Sequence, residues 1–305
     1  MSATMGRRGI RQAIVLAAAL ALVVGATPFA ARTAFALQGC PAFGTSYIQS
    51  WSTAYINRGV TMCLGIDYSG QAAVWLQIVD FSAGAKMRVV SQVASGSTPG
   101  TPDTLFNKRS AYDWYNWISS NITTPPSSRL FSTTNASFFI TTSGTTTALS
   151  LPEKMANSVR SQGYALTHHT DPAWPATKRK FALGDPNSTP QTFVSSTFPT
   201  SYTATDITNG FSGYYDGTIA LDALYGDVFA RKTMLGFNGS RVYILTTLSL
   251  YYLSQARSIL RDNFSTANEI QLDGGNSTQM NSNYGVLTSS SNRVVPDVLA
   301  VYLAP

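Results

Sequence analysis

The stretch Glu269–Met280, EIQLDGGNSTQM, ends a short alternating segment on a carboxylate and follows it with two glycines and three small polar residues. The alternation predicts a half-buried strand, with Ile270 and Leu272 in the core and the acids Glu269 and Asp273 on the opposite face. Because glycine has no Cβ, a ligand or another backbone segment can approach the residues that follow. An ordinary turn is the alternative, since Asp-Gly and Asn-Ser are common turn sequences.

The segments around this stretch predict a strand-rich domain. Thr247–Phe264 has apolar residues at three- and four-residue steps, which predicts an amphipathic helix capped by Thr247 or Ser249. Asn238-Gly239 predicts a hairpin, and a second hairpin is expected around residues 82–85. Further strands are expected at Ala72–Phe81, Met87–Val93, Phe131–Ile140, Lys180–Gly184, Ala230–Phe237 and Arg241–Thr246, and Arg293–Leu303 closes the chain.

Two segments leave their local structure open. Tyr112–Ile118 carries four aromatic residues and fits a short helix or an aromatic cluster. Ser150–Glu153 has the pattern of a helix capping box, with Gly163 as the helix end; the competing interpretation places two strands around a turn at Asn157. The predicted fold class is α+β: a mixed, mostly antiparallel twisted sheet with a few helices in a single domain.

The N-terminus has the pattern of an export signal. Arginines precede thirteen apolar or small residues at 13–25, and Ala34-Phe35-Ala36 is a small-x-small cleavage sequence. The apolar run is shorter than the roughly 20 residues that a spanning helix needs. We therefore expect a signal in residues 1–36, a mature domain at residues 37–305 without a membrane span, and a secreted, extracellular protein.

Charge and cysteine usage narrow the class of protein. Without residues 1–36 the formal net charge falls from +6 to +2, and the tightest cationic cluster is Lys178–Lys180. Nucleic-acid binding is therefore not expected. In an exported chain Cys40 and Cys63 predict a disulfide, which closes a loop of about 24 residues worth about 3 kcal/mol. A lipoprotein cleavage box at Leu37–Cys40 is the alternative, but the apolar run ends too early for it.

Four short motifs, in the same order, resemble the phosphodiester glycosidase family. Leu272–Met280, with the helix before it and Arg293–Tyr302 after it, is similar to the family's C-terminal signature. Val74–Val90 resembles its opening hairpin, Asn135–Phe139 its Asn-Ala-x-Phe-Phe segment, and Arg231–Gly239 its Arg-Thr-x-x-Gly strand and hairpin. The similarity covers most of residues 70–303, and it implies a β-hairpin rather than a helix at 148–164.

The resemblance implies a glycosidase-type hydrolase acting on a sugar-1-phosphodiester in an envelope or extracellular glycan. Such chemistry needs a carboxylate at the anomeric carbon, and a guanidinium suits the phosphate. By resemblance, Asp273 is the carboxylate, Arg231 binds the phosphate and Arg293 is a second phosphate candidate. The remaining substrate-binding residues that it implies are Asn135, Gly274, Gly275, Asn276, Ser277 and Thr278.

The sequence departs from the family pattern at two residues. Asn276 replaces a third glycine, and Lys232 separates Arg231 from Thr233. A catalytically inactive carbohydrate-binding or surface module is therefore the alternative, with aromatic residues available to stack on sugars: Trp114, Tyr115, Trp117, Trp174, Tyr214 and Tyr215.

The second catalytic carboxylate stays open. Glu269 lies on the Asp273 face but about 13 Å along the strand, which is too far. Asp227 and Asp297 are the weakly supported candidates.

No cofactor is expected. His168 and His169 are adjacent, so in a strand their side chains point apart and a zinc site is not predicted. A structural calcium held by Asp273 and loop oxygens is the one metal that the sequence leaves open.

Overall fold

The computed structural model describes residues 38–98, 105–123, 126, 129–139, 144–148, 228–289 and 293–305, together with the strands named below between 153 and 219. In chain order the strands are β1 (Ser50–Asn57), β2 (Val60–Ile66), β3 (Ala72–Asp80), β4 (Lys86–Ser91), β5 (Phe106–Asn107), β6 (Leu130–Asn135), β7 (Thr146–Thr147), β8 (Glu153–Ala156), β9 (Tyr164–Thr167), β10 (Arg179–Leu183), β11 (Gln191–Val194), β12 (Asp206–Phe211), β13 (Tyr214–Tyr215), β14 (Thr218–Ile219), β15 (Thr233–Asn238), β16 (Arg241–Thr247), β17 (Asn268–Gln271), β18 (Gln279–Ser282), β19 (Gly285–Ser289) and β20 (Asp297–Tyr302). The helices are α1 (Ala111–Asn121) and α2 (Leu253–Phe264).

Two antiparallel sheets form the centre of the molecule. The first has six strands in the order β1-β2-β3-β16-β15-β17, and the second has five in the order β19-β18-β6-β20-β4. A further five-stranded sheet has the order β11-β10-β12-β8-β9, and β13-β14 and β5-β7 are two-stranded. The α+β prediction agrees in part, because the described residues are mostly strands with two α-helices. The described strands are antiparallel to their partners, in agreement with the expected mostly antiparallel sheet, but they belong to several sheets.

The core is layered because each central sheet is apolar on both faces. The two sheets pack against each other through side chains such as Met62, Val242, Phe131 and Leu299. Helix α2 covers the outer face of the first sheet, and its buried residues are Leu253, Ala256, Ile259, Leu260 and Phe264. Helix α1 covers the outer face of the second sheet. The aromatic segment is therefore a helix, with Ser110 accepting from the Asp113 N–H at its start.

Two local predictions are wrong. The predicted β3–β4 hairpin is absent, because β3 pairs with β2 and β16 while β4 pairs with β20 in the other sheet. Between them the carboxylate of Asp80 caps a short 3₁₀ turn, and Gly84 takes a φ of 87°. The helix before Glu269 starts at Leu253, not at Thr247, because Thr247 still pairs with Val74 in the sheet.

Other local predictions agree with the structure, wholly or in part. The Asn238-Gly239 turn joins β15 to β16, with Gly239 at a φ of 58°. Strand β8 pairs antiparallel with β9, as the hairpin interpretation of residues 148–164 expects, although with shifted bounds. Ile270 in β17 and Leu272 just after it are buried as predicted. Glu269, on the opposite face, is buried too, where it pairs with Arg257 of α2.

The predicted disulfide is confirmed: Cys40 and Cys63 are bonded, with their Cα atoms 5.7 Å apart. It ties the segment before β1 to the middle of β2. Within the described residues, neither helix has the length and apolarity needed to cross a bilayer. The predicted signal at residues 1–36 lies outside the described residues and stays a prediction.

Candidate functional site

The candidate site lies where β17 ends between the two central sheets. The N–H of Leu272 still donates to Thr233 of the first sheet at 2.8 Å, and the N–H of Asp273 donates to Ala136 at 3.0 Å, just beyond β6 of the second sheet. The chain therefore crosses from one sheet to the other at Asp273. A 3₁₀ turn at Gly275–Ser277 follows and leads into β18.

The two glycines serve different backbone needs. A Cβ on Gly274 would lie 2.7 Å from the carbonyl oxygen of Arg231, so this glycine permits close approach of another backbone segment rather than of a ligand. Gly275 has a φ of 59°, and a Cβ there would have nothing within 4 Å. Its N–H donates to the same Arg231 carbonyl at 2.8 Å, which holds the turn beside the first sheet.

Asn135 has a positioning role in this structure. It is fully buried at the end of β6. Its amide nitrogen donates to the carbonyl of Asp273 at 2.6 Å, and its amide oxygen accepts from the Thr233 hydroxyl and the Gln279 N–H, each at 2.9 Å. These contacts join both ends of the glycine loop to both sheets. In this structure Asn135 therefore holds the loop from inside, and the substrate role that the resemblance implies stays a prediction.

The carboxyl of Asp273 is a weaker acid than an ordinary aspartate. The residue keeps part of its surface exposed, but the surrounding protein removes hydration, and this desolvation raises its pKa to about 7. The Ser277 hydroxyl, the charge of Arg293 and the Gly274 N–H favour the ionised form, while the charge of Asp297 opposes it. A carboxyl with a pKa near 7 can give or take a proton at neutral pH.

The cation that acts on Asp273 is Arg293. Its charge lowers the pKa of Asp273, and its guanidinium lies 5.0 Å from the ring centroid of Phe139. The side chain of Gln279 accepts from the Ala111 N–H at 3.1 Å and donates to the Arg293 carbonyl at 2.5 Å, so it links this segment to α1. No sequence motif signalled that role for Gln279.

Arg231 meets the site mainly through its backbone. Its carbonyl accepts from Gly275, and its Nε donates to the carbonyl of Leu248 at 2.9 Å. The inserted Lys232 is buried, and its ammonium donates to the carbonyl of Val228 at 2.6 Å. The inserted lysine is thus bonded within the fold beside Arg231. The hydrogen bond from Gly275 to the Arg231 carbonyl still holds the glycine loop.

The other predicted residues divide by exposure. Ser277 and Thr278 are fully buried, and Asn276 is exposed at the turn. Among the weakly supported carboxylates, Asp297 has a charge that acts on Asp273, and both of its oxygens accept from the Ser137 N–H, at 3.0 and 3.2 Å. The sequence signal for Asp297 was only its place beside the C-terminal motif. Asp227 lies outside the described residues.

The candidate metal ligands and sugar-stacking aromatic residues can be compared with the structure only in part. Over the part of the chain that the structure describes, no three His, Cys, Asp or Glu side chains gather as a metal site. His168, His169 and Trp174 lie outside that part. Trp114 is fully buried, and its indole N–H donates to the Val295 carbonyl at 2.9 Å, so it belongs to the core. Tyr115 and Trp117 are partly buried on the same helix.

Comparisons with known proteins find distant structural likenesses. No protein-family model matches the sequence, and no curated protein matches it significantly. A hypothetical protein from Synechocystis has a TM-score of 0.49 at 11% identity; the match covers 83% of this chain and 64% of that one. The catalytic domain of zebrafish N-acetylglucosamine-1-phosphodiester alpha-N-acetylglucosaminidase, auto-inhibited by its pro-peptide, has a TM-score of 0.49 at 13% identity, with 86% of each chain covered. At these values neither structure assigns the chain to a family.

Proposed function

We propose that this protein is a secreted hydrolase that cleaves a sugar-1-phosphodiester at the anomeric carbon. The observation that carries the proposal is the carboxyl of Asp273, a residue that keeps part of its surface exposed; burial raises the pKa of this carboxyl to about 7, and the charge of Arg293 acts on it. A proton-exchanging carboxyl beside a guanidinium suits a sugar whose leaving group is an anionic phosphate. The motif resemblance supports the same reaction, and the disulfide supports an oxidising compartment outside the cytosol.

The contacts support a role for each residue. Asp273 acts at the anomeric centre, and Arg293 is the first phosphate partner because its charge already acts on that carboxyl. Arg231 is the second phosphate partner, since its carbonyl is bonded to the same glycine loop. Asn276, exposed at the turn, contacts the sugar, with Ser277 and Thr278 behind it. Asn135, Gly274 and Gly275 hold the loop in shape, as their hydrogen bonds and packing support.

The test is hydrolysis of a panel of sugar-1-phosphodiesters by the purified full chain, with products identified by mass spectrometry. We expect release of the free sugar and a phosphomonoester, and we expect Asp273→Asn to reduce the rate at least about 100-fold, the usual contribution of a positioned acid or base. Asp67→Asn is the matched control, because Asp67 sits in a surface turn where its carboxylate accepts from Ser69 and Gln71. If wild type and Asp273→Asn are both inactive on every compound of the panel, the proposal that this protein is an enzyme is wrong.

A catalytically inactive carbohydrate-binding module is the second candidate. It is favoured by an exposed aromatic pair near Arg231: the rings of Phe229 and Tyr252 are 4.9 Å apart, and the residues are 51% and 43% exposed. Such faces can stack on a sugar ring. For this candidate a glycan array should show binding without turnover, and Phe229→Ala should weaken that binding while Tyr112→Ala, an exposed aromatic on α1, should not.

A further inference from the structure

Two short chain segments beside the glycine loop pair with each other and present one exposed face. Ala230 and Tyr251 form an antiparallel bridge, in which each N–H donates to the other residue's carbonyl, at 3.2 and 2.9 Å. Because side chains alternate along extended segments, the residues next to this pair share the opposite face. That face, called here the aromatic face, consists of Phe229, Arg231, Leu250 and Tyr252.

The apolar side chains of the aromatic face are open to solvent as a group. The rings of Phe229 and Tyr252 lie 4.9 Å apart, and Leu250, which is 50% exposed, extends the apolar surface beyond them. Tyr251 points the other way and is buried in the core. Apolar side chains that are exposed together, rather than singly, mark a binding surface. The face therefore offers apolar contact to a ligand.

Arg231 connects the aromatic face to the glycine loop. Its Nε donates to the Leu248 carbonyl at 2.9 Å, which holds the guanidinium beside the second segment. Its carbonyl accepts from the Gly275 N–H at 2.8 Å. Phe229 and Arg231 are two residues apart, which is about 7 Å along an extended segment. A molecule whose phosphate meets the guanidinium can therefore reach the aromatic face with a group attached to that phosphate.

We propose that the aromatic face binds a hydrocarbon group on the substrate phosphate, so that the substrate is a sugar-1-phosphodiester of a long-chain alcohol. The guanidinium complements the phosphate. Phe229 and Leu250 have no side-chain group that could hydrogen-bond the hydroxyls of a second sugar, whereas a hydrocarbon chain gains free energy from contact with them. This inference rests on the proposed function, because it names the alcohol part of the same substrate.

The hydrocarbon site can be tested without any reaction. Decyl phosphate, kept below its critical micelle concentration, and methyl phosphate are titrated into the full chain by calorimetry. We expect decyl phosphate to bind at least about tenfold more tightly, since each buried CH₂ favours binding. Phe229→Ser and Leu250→Ser should each reduce this preference, and Arg231→Gln should weaken both ligands by a similar factor. Tyr284→Ser is the matched control, because Tyr284 is an exposed aromatic residue between β18 and β19; it should leave the preference unchanged.

The outcomes separate this inference from the proposed function. Equal binding of the two phosphates would overturn the hydrocarbon site, and so would a preference that survives both Phe229→Ser and Leu250→Ser. Binding of methyl glucoside with no preference between the phosphates would assign the face to sugar stacking instead. If decyl phosphate is preferred but no sugar phosphodiester is cleaved, the proposed function fails and the hydrocarbon site stands. If methyl and decyl phosphodiesters of one sugar are cleaved with equal kcat/KM, the function stands and the substrate class is wrong.

Discussion

The two glycines that follow Asp273 are required for different reasons, Gly274 for space and Gly275 for its backbone conformation. Alanine at Gly274 would place its Cβ 2.7 Å from the Arg231 carbonyl oxygen, a backbone atom that cannot move without shifting the sheet. We expect Gly274→Ala to lower the free energy of unfolding by about 2–3 kcal/mol, as overpacking does. At Gly275 alanine meets open space but must keep a φ of 59°, which costs about 1–2 kcal/mol. Urea unfolding of the two variants measures the difference.

The comparison is matched because both variants add the same methyl group to the same loop. Gly70→Ala is the control for left-handed glycines, since Gly70 has a φ of 79° and open space around it. It should resemble Gly275→Ala. A Gly274→Ala variant that is no less stable than Gly275→Ala would contradict the close backbone approach at Arg231.

Sequence reasoning at single residues was strongest where one residue type has few alternatives. An acid followed by Gly-Gly marked the end of β17 and the loop itself. It could not tell Arg231 from Arg293, because which cation acts on Asp273 depends on how β20 and the loop meet in space. The resemblance assigned Asn135 to substrate, and that role stays a prediction; its amide bonds Asp273, Thr233 and Gln279, partners that cannot be known from its neighbours in sequence.

At the scale of secondary-structure elements, sequence patterns predicted the strands better than their partners. Apolar runs indicated β3, β6 and β16, but a short connection with a glycine indicated a β3–β4 hairpin that does not form. A turn of that length also suits a chain that passes from one sheet to the next. The start of α2 was missed because residues 247–252 continue the apolar period while Thr247 remains in the sheet.

The contact between α2 and the edge strand β17 contains a buried ion pair. The Nε of Arg257 lies 3.3 Å from a carboxylate oxygen of Glu269, whose side chain is 1% exposed. Burial raises the pKa of Glu269, while the Thr266 hydroxyl and the charges of Arg257 and Arg261 oppose that rise. We expect Arg257→Ala to lower the free energy of unfolding by about 3 kcal/mol at pH 7, because it leaves a buried charge without its partner.

The pH dependence of Arg257→Ala has a definite sign. The pKa of Glu269 is higher in the folded chain than in the unfolded chain. The free energy of unfolding therefore falls as pH rises from the unfolded-chain pKa to the folded-chain pKa. Loss of Arg257 raises that pKa further, so the variant should lose less stability at pH 4 than at pH 7. Arg261→Ala, in the exposed Arg261–Asp262 pair of the same helix, should cost less than about 1 kcal/mol at both pH values. Equal losses from the two variants would contradict this account.

The layered architecture of the whole molecule explains why the candidate site lies where it does. β17 is the edge strand of the first sheet, and the chain leaves it to enter β18 beside β6 in the second. The crossing brings Asp273 and the glycine loop next to Asp297 and Arg293, which come from the last strand and the segment before it. Residues far apart in sequence thus meet because one connection links the two sheets.

The disulfide acts on the whole molecule through the unfolded chain. Cys40 and Cys63 are separated by 23 positions, and their bond restricts the unfolded ensemble of the segment that precedes and includes β1. We expect the free energy of unfolding of the double variant Cys40→Ala, Cys63→Ala to be about 3 kcal/mol lower than that of the wild type. Its unfolded chain is more expanded and exposes more surface, so the dependence of the free energy on urea concentration should be steeper than in the wild type. Dithiothreitol should destabilise the wild type but not the double variant; a reductant effect on both, or on neither, would show that the bond does not stabilise the fold.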